Sequence, residues 1–217
     1  MAFRKIAVAA LAAGSLVAVP AYAQQMKESG WYVGGGLGQS RADIDEAGIN
    51  FAFTSIGGIT SAATTSDKSD FGWKLFGGYQ INRNFAVEGG YASLGKFGTV
   101  TRTTPPGTFS GEIKVENNWF GDVLGIVPLG NNFSAFGRVG LVYSETKVNL
   151  TGVGPGGTAG IGSKDNDWNW KAGLGVGYEF TNQLGLRGEW ERYRVSDGLG
   201  GHGDVDLFSA SLRYKFF

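Results

Sequence analysis

The chain has no cysteine among its 217 residues and only five prolines. A disulfide-stapled scaffold and a Pro-rich disordered segment are both excluded. Charge is scarce and balanced, with 19 Lys and Arg against 19 Asp and Glu. No basic field exists to hold nucleic acid at physiological salt, so no nucleic-acid partner is expected. Beyond residue 23 no apolar run reaches the 18 or so residues that a spanning helix needs. Helical periodicity is nearly absent there as well, because glycines interrupt every window in which a 3.6-residue stripe would run. What the chain has in excess is glycine, 38 residues, about 17% against a usual 7% or so. No G-x-y period accompanies it, which excludes collagen, and 13% aromatics argue for a folded chain of ordinary single-domain size.

The N-terminus reads as an export address. Met1-Ala2-Phe3-Arg4-Lys5 supplies a basic start, Ile6 to Val19 an apolar stretch too short to span, and Ala21-Tyr22-Ala23 an A-x-A cleavage site. A signal peptide over residues 1–23 and a mature domain over 24–217 are expected, the latter with a charge near −2. Such a chain is either soluble or a β-barrel.

Period-two alternation decides between them. Trp168, Trp170, Ala172, Leu174, Val176, Tyr178 and Phe180 share one face, and Asn169, Lys171, Gly173, Gly175, Gly177 and Glu179 share the other. Large apolar residues opposite glycine and charge describe a strand between lipid and a crowded interior. The same parity runs through Trp31 to Gly38, Phe71 to Ile81, Phe85 to Ala92, Phe133 to Ser144, Leu184 to Glu191, and Phe208 to Phe217. An eighth segment, Ile113 to Val127, alternates least cleanly, because Phe120, Leu124 and Ile126 share their face with Asp122. Its parity is left open. Short turns at 82–84, 128–132 and 181–183 alternate with long or glycine-rich connections near 42–69, 96–112, 147–166 and 196–204. That is the order expected when turns face the periplasm and loops face outside. The fold class is therefore all-β, an eight-stranded antiparallel transmembrane up-and-down β-barrel. At eight strands the interior is filled by its own side chains and no open channel is implied.

The chain ends on an aromatic strand in which Phe208, Ala210, Leu212, Tyr214 and Phe216 share one face, followed by Phe217. This ending resembles the terminal signature by which the insertion machinery reads bacterial outer-membrane barrels. Gly30-Trp31-Tyr32-Val33-Gly34, Gly78-Tyr79-Gln80-Ile81-Asn82 leading to Val87-Glu88-Gly89-Gly90-Tyr91, and Leu186-Arg187-Gly188-Glu189-Trp190 resemble the OmpA transmembrane domain and its small OmpX-like relatives. The resemblance covers the whole mature chain. It implies a bacterial outer-membrane location, contact with outer-membrane lipid and lipopolysaccharide, and passage through periplasmic chaperones and the insertion machinery as a monomer. It assigns Phe208, Leu212, Tyr214, Phe216 and Phe217 to the insertion signal. It also places Glu88 and Arg187 in the family's internal charged cluster, while the family's lysine partner is not matched at its own position. The periplasmic wall-binding domain of longer relatives has no counterpart here.

Parity alone turns Lys74, Arg138, Lys171, Arg187 and Arg213 inward, against Glu88, Glu179, Glu189 and, provisionally, Asp122. Buried ions are tolerated only when paired and hydrogen-bonded, so five bases and four acids read as an ion-pair network filling the lumen. Signals for chemistry are sparse. His202, the single histidine, could join Asp204 and Ser196 in acyl transfer as in small lipid A-modifying barrels, but a glycine-flanked loop holds catalytic geometry poorly. Gly152-Val153-Gly154-Pro155-Gly156-Gly157 matches G-x-G-x-x-G, yet no helix follows to cradle an anion. Asp165-Asn166-Asp167 and Asp43-Ile44-Asp45-Glu46 lack the spacing of a calcium loop and read as solvated loop acids. The Asn132 and Asn149 N-x-S/T matches carry nothing in a bacterial host. No catalytic residue, cofactor or metal is expected. The expected function is structural, envelope-stabilising or surface-interacting through the loops, with a narrow low-conductance pore and a lipid A-modifying enzyme at the outer rim as alternatives.

Overall fold

The computed structural model describes residues 29–44, 46–55, 59–105, 107–154, 157–196 and 202–216. The expected signal peptide and Phe217 lie outside them. Ten strands and one helix follow in order: β1 (Gly30–Ala42), α1 (Glu46–Thr54), β2 (Ser61–Asp67), β3 (Ser69–Gln80), β4 (Phe85–Ser93), β5 (Gly95–Thr104), β6 (Gly107–Gly130), β7 (Phe133–Gly154), β8 (Gly157–Glu179), β9 (Leu184–Ser196) and β10 (His202–Lys215). Eight of them close a ring, β1-β3-β4-β6-β7-β8-β9-β10, with the first strand paired to the last. Closure matters because an open strand edge in lipid would leave a row of backbone groups without partners. Glycine permits the tightest contact at this seam, where a Cβ on Gly38 would lie 1.9 Å from the carbonyl oxygen of Phe208.

Two of the three tight turns are held by short polar side chains. Asn82 Oδ1 accepts from the backbone N–H groups of Asn84 (2.8 Å) and Phe85 (2.9 Å), and Thr181 Oγ1 accepts from those of Gln183 (3.2 Å) and Leu184 (3.0 Å). Both hold the reversal locally. Between β6 and β7, Gly130, Asn131 and Asn132 adopt φ of 88°, 50° and 67°, the left-handed region that glycine and asparagine accept most readily.

The outer face carries two belts of rings. At the turn end Trp31 meets Tyr79 at 5.0 Å and Phe133 meets Tyr178 at 4.7 Å. At the other end Trp73 and Tyr91 lie 5.4 Å apart, Tyr91 and Trp119 5.2 Å, and Tyr143 and Trp168 5.3 Å. Trp168 and Tyr178 on β8 are ten residues apart, about 33 Å along the strand, or about 25 Å in height at a tilt near 40°, the height of an outer-membrane apolar band. Leu174 stands midway between them, outward and 62% exposed. Leu174→Arg is expected to cost about 2–4 kcal/mol in urea unfolding from lipid vesicles, the range for a charge near the bilayer midplane. A change under about 0.5 kcal/mol would reject this facing.

Three expectations need correction, and a fourth point left open is resolved. The connections near 42–69, 96–112 and 147–166 are not irregular loops. Above the outer belt β6, β7 and β8 continue as paired strands, β5 joins β6 and β2 joins β5, forming a five-stranded sheet that stands on the barrel rim. Helix α1 packs on it, with Phe53 against Phe109 at 4.8 Å and Thr64 Oγ1 donating to Asn50 Oδ1 at 2.7 Å. Outside lipid, neither sheet face is required to be apolar, so period-two alternation fades although the pairing continues. Second, Asp165, Asn166 and Asp167 belong to β8. Third, His202 opens β10, and its backbone pairs with Ser196 in register. Fourth, the ambiguity of 113–127 has a cause. The β6–β7 register slips between Val115 and Asn117, a β-bulge that switches the inward parity from odd to even residues. Asn118, completely buried, donates to the carbonyls of Ala92 (3.1 Å) and Val115 (3.3 Å) and ties the bulge down. Below it Asp122 faces inward and Val123 outward.

Candidate functional site

The lumen is where the chain concentrates its buried charge. Strand parity delivers each group: Lys74 from β3, Glu88 from β4, Asp122 from β6, Arg138 from β7, Lys171 from β8, and Arg187 and Glu189 from β9, all buried. Inward glycines leave the room they need. A Cβ on Gly140 would sit 2.1 Å from Asp122 Oδ1.

Arg138 is the crosspiece. Its guanidinium lies 3.0 Å from Glu88, 3.2 Å from Asp122, 2.7 Å from Glu189 and 3.0 Å from Glu191. Lys74 lies 2.9 Å from Glu189 and 2.5 Å from Glu191. Lys171 lies 3.0 Å from Asp122 and 2.8 Å from Glu191, with its ammonium 3.8 Å from the ring centre of Phe120. Arg187 donates to Glu88 Oε1 at 2.5 Å, and Tyr32 Oη donates to the same oxygen at 2.8 Å. Tyr32, Phe76 and Phe136 surround that guanidinium at 5.4, 5.6 and 5.1 Å, close enough for the ring faces to offset part of its lost hydration. Seven of the nine inward charges read from parity thus join one ion-paired group. Glu179 and Arg213 form a separate pair nearer the turns, in which Arg213 donates to Glu179.

Sequence reasoning missed the acid with the most partners. Glu191 has no exposed surface and ion-pairs with Lys74, Arg138 and Lys171. The alternation over Leu184 to Glu191 already places it on the inward face with Arg187 and Glu189, and counting it among the inward charges balances five bases with five acids. On the loop side of this layer Leu94, Phe97, Val115, Val195, Val205 and Leu207 form part of one buried apolar cluster. Charge in the middle and hydrocarbon toward the loops leave the lumen filled by side chains.

The residues assigned to the insertion signal lie at the seam. Phe208, Leu212, Tyr214 and Phe216 face outward, and the Tyr214 and Phe216 rings meet at 5.3 Å. Among the described residues no cluster of His, Asp and Glu has the arrangement of a metal site. Glu46, within the expected acidic run, opens α1 and pairs with Lys68 at 3.1 Å.

Residues 9–216 match the family model described as the outer membrane protein beta-barrel domain. The chain belongs to this family. It is a bacterial outer-membrane β-barrel protein, and the eight-strand ring, the aromatic belts and the inward charges are those of such a barrel. Among solved structures it is similar to the outer membrane protein OprG from Pseudomonas aeruginosa, at TM-score 0.53 and 15% identity over 87% of this chain and 97% of that one. It is also similar to Neisserial surface protein A, at TM-score 0.49 and 12% identity over 87% and 99%. Ail of Yersinia pestis, solved with the heparin analogue sucrose octasulfate, matches at TM-score 0.45 and 13% identity over 86% and 99%. The likeness to OprG is one of fold. No curated protein sequence matches the chain.

Proposed function

We propose that this barrel is a structural and surface-interaction protein of the outer membrane, with a lumen that serves as a fixed internal brace and a working surface in the sheet above the rim. The observation that carries this reading is Arg138. From β7 its guanidinium reaches carboxylates on β4, β6 and β9, so it spans the interior rather than lining a passage. A conducting path would have to separate charges whose desolvation costs several kcal/mol each when unpaired. No catalytic role is assigned to any residue.

Planar-bilayer recording tests this reading. The purified barrel, folded by its heat-modifiable gel mobility, is expected to leave the bilayer at its baseline conductance. Reproducible unitary steps from the folded protein, abolished by heating to the unfolded band, would replace the brace with the narrow-pore reading. Mass spectrometry of lipid A from cells with and without the protein is expected to be unchanged, and a new acylation or deacylation product would establish the enzyme instead.

A further inference from the structure

The five-stranded sheet above the rim ends in two edges, β2 and the upper part of β8. They are not alike. Helix α1 lies against β2, where Thr64 Oγ1 donates to Asn50 Oδ1 at 2.7 Å. On β8 the ladder to β9 runs only from Lys171 to Glu179, while the ladder to β7 continues upward to Gly157. Among the described residues no strand pairs with the other side of residues 157–170, and Gly157, Thr158, Gly160, Gly162 and Ser163 are exposed. Such an edge presents a row of backbone groups ready to pair with another strand, and proteins guard it with charge, proline or a bulge. Lys164, Asp165 and Asp167 supply charge along the lower part. Residues 157–163, Gly-Thr-Ala-Gly-Ile-Gly-Ser, have no charge, no proline and no register shift against β7. The lack of charge extends to the surroundings. Residues 47–66, 97–111 and 149–163, which take in α1 and the tops of the five strands, contain one charged residue in fifty, Arg102, where the chain's 18% would give about nine.

An uncharged edge suits its own copy. When a segment pairs antiparallel with itself the contact is isologous, and residues near its centre meet themselves or close neighbours. Any charge there faces its own like, which is destabilising in a sheet, and residues 157–163 avoid this. Direction then decides where the copy sits. β8 runs from its tip at Gly157 down toward the turn after Glu179. A neighbour in the same membrane offers a strand that also runs downward, and strand tilts near 40° would cross the two at about 80°. A copy in a facing membrane offers β8 running the other way. Height allows the meeting, because Trp168 belongs to the outer belt and residues 163 to 157 lie about 13–28 Å above it at that tilt, clear of the headgroups. We propose that residues 157–163 of β8 pair antiparallel with the same residues of a second copy in a facing membrane, so that the barrel joins two membrane surfaces. This rests on the surface-interaction reading and names its partner. It is independent of whether the lumen conducts, so the conductance experiment and the one below can fail separately.

The test refolds the protein into phosphatidylcholine vesicles at many copies per vesicle, since short contacts gain strength when many act together. Clustering is read by light scattering and by energy transfer between vesicles with donor and acceptor dyes. Wild-type vesicles are expected to cluster with one another and not with protein-free vesicles. Thr158→Lys/Ser163→Lys and Thr158→Glu/Ser163→Glu, each shown to be folded by its heat-modifiable mobility, put like charge on both sides of the contact. Vesicles of either variant alone should cluster at least fivefold more slowly than the wild type. Mixing the two variant populations should recover most of the wild-type rate, because self-pairing then brings opposite charges together. Thr158 and Ser163 are exposed; should a double variant not fold, the Thr158 changes alone give the same comparison. Folded wild type that does not cluster, charged variants that cluster as the wild type does, or a mixture that fails to recover would overturn the proposal. So would equal clustering with protein-free vesicles, which would make the contact one with lipid.

Discussion

Glu191→Ala is expected to be among the most damaging single substitutions in the barrel. The side chain has no exposed surface and faces Lys74 at 2.5 Å, Lys171 at 2.8 Å and Arg138 at 3.0 Å. Truncation leaves cations in a dry interior with one carboxylate too few, and breaking a buried pair from one side typically costs about 3–5 kcal/mol. Partial compensation is available, since Lys74 keeps Glu189, Lys171 keeps Asp122 and Arg138 keeps three acids. The loss should nonetheless exceed that of an exposed pair by a wide margin. Arg192 and Asp206 serve as the control: they meet at 2.7 Å with side chains 42% and 23% exposed, and such a pair contributes about 0–1 kcal/mol. Urea midpoints of the refolded proteins in vesicles, Glu191→Ala beside Asp206→Ala, check both. Equal losses would mean that the lumen is hydrated enough to screen its charges.

What was legible in the sequence follows from where lipid acts as the solvent. Between the two belts every outward residue must suit hydrocarbon and every inward one the lumen, so Trp168 to Phe180 can be read residue by residue, and so can Lys74, Glu88, Arg138, Lys171 and Arg187. Above the outer belt that constraint ends. The upper halves of β6, β7 and β8 have water on the outer side, and their Thr, Ser, Lys and Gly residues pair without announcing a face. The bulge at Val115 to Asn117 is illegible for a related reason: it exchanges the two faces in the middle of a strand, so a single parity fails on both sides of it at once. Glu191 is the last residue of the Leu184 to Glu191 alternation and faces inward in it, but the inward charges read from parity omit it, and the strand runs on past it to Ser196.

The central claim is that paired charges brace the lumen, and Glu88 with Arg187 is the pair on which it is most directly measured. Arg187 donates to Glu88 Oε1 at 2.5 Å from the opposite side of the barrel, with its guanidinium ringed by Tyr32, Phe76 and Phe136. Glu88→Ala strands Arg187 and removes one of the acids around Arg138, while Arg187→Ala leaves Glu88 with Arg138 at 3.0 Å and the Tyr32 hydroxyl at 2.8 Å. Each single change is expected to cost about 3–5 kcal/mol, the carboxylate more than the arginine because Glu88 serves two cations. The measurement is a double-mutant cycle on urea midpoints of the refolded barrel. The account predicts that the double variant loses less than the sum of the two single losses by at least about 1 kcal/mol, because removing both partners leaves no stranded charge. Losses that add to within about 0.3–0.5 kcal/mol, the scatter of independent sites, would show that the two residues do not interact and would contradict the brace.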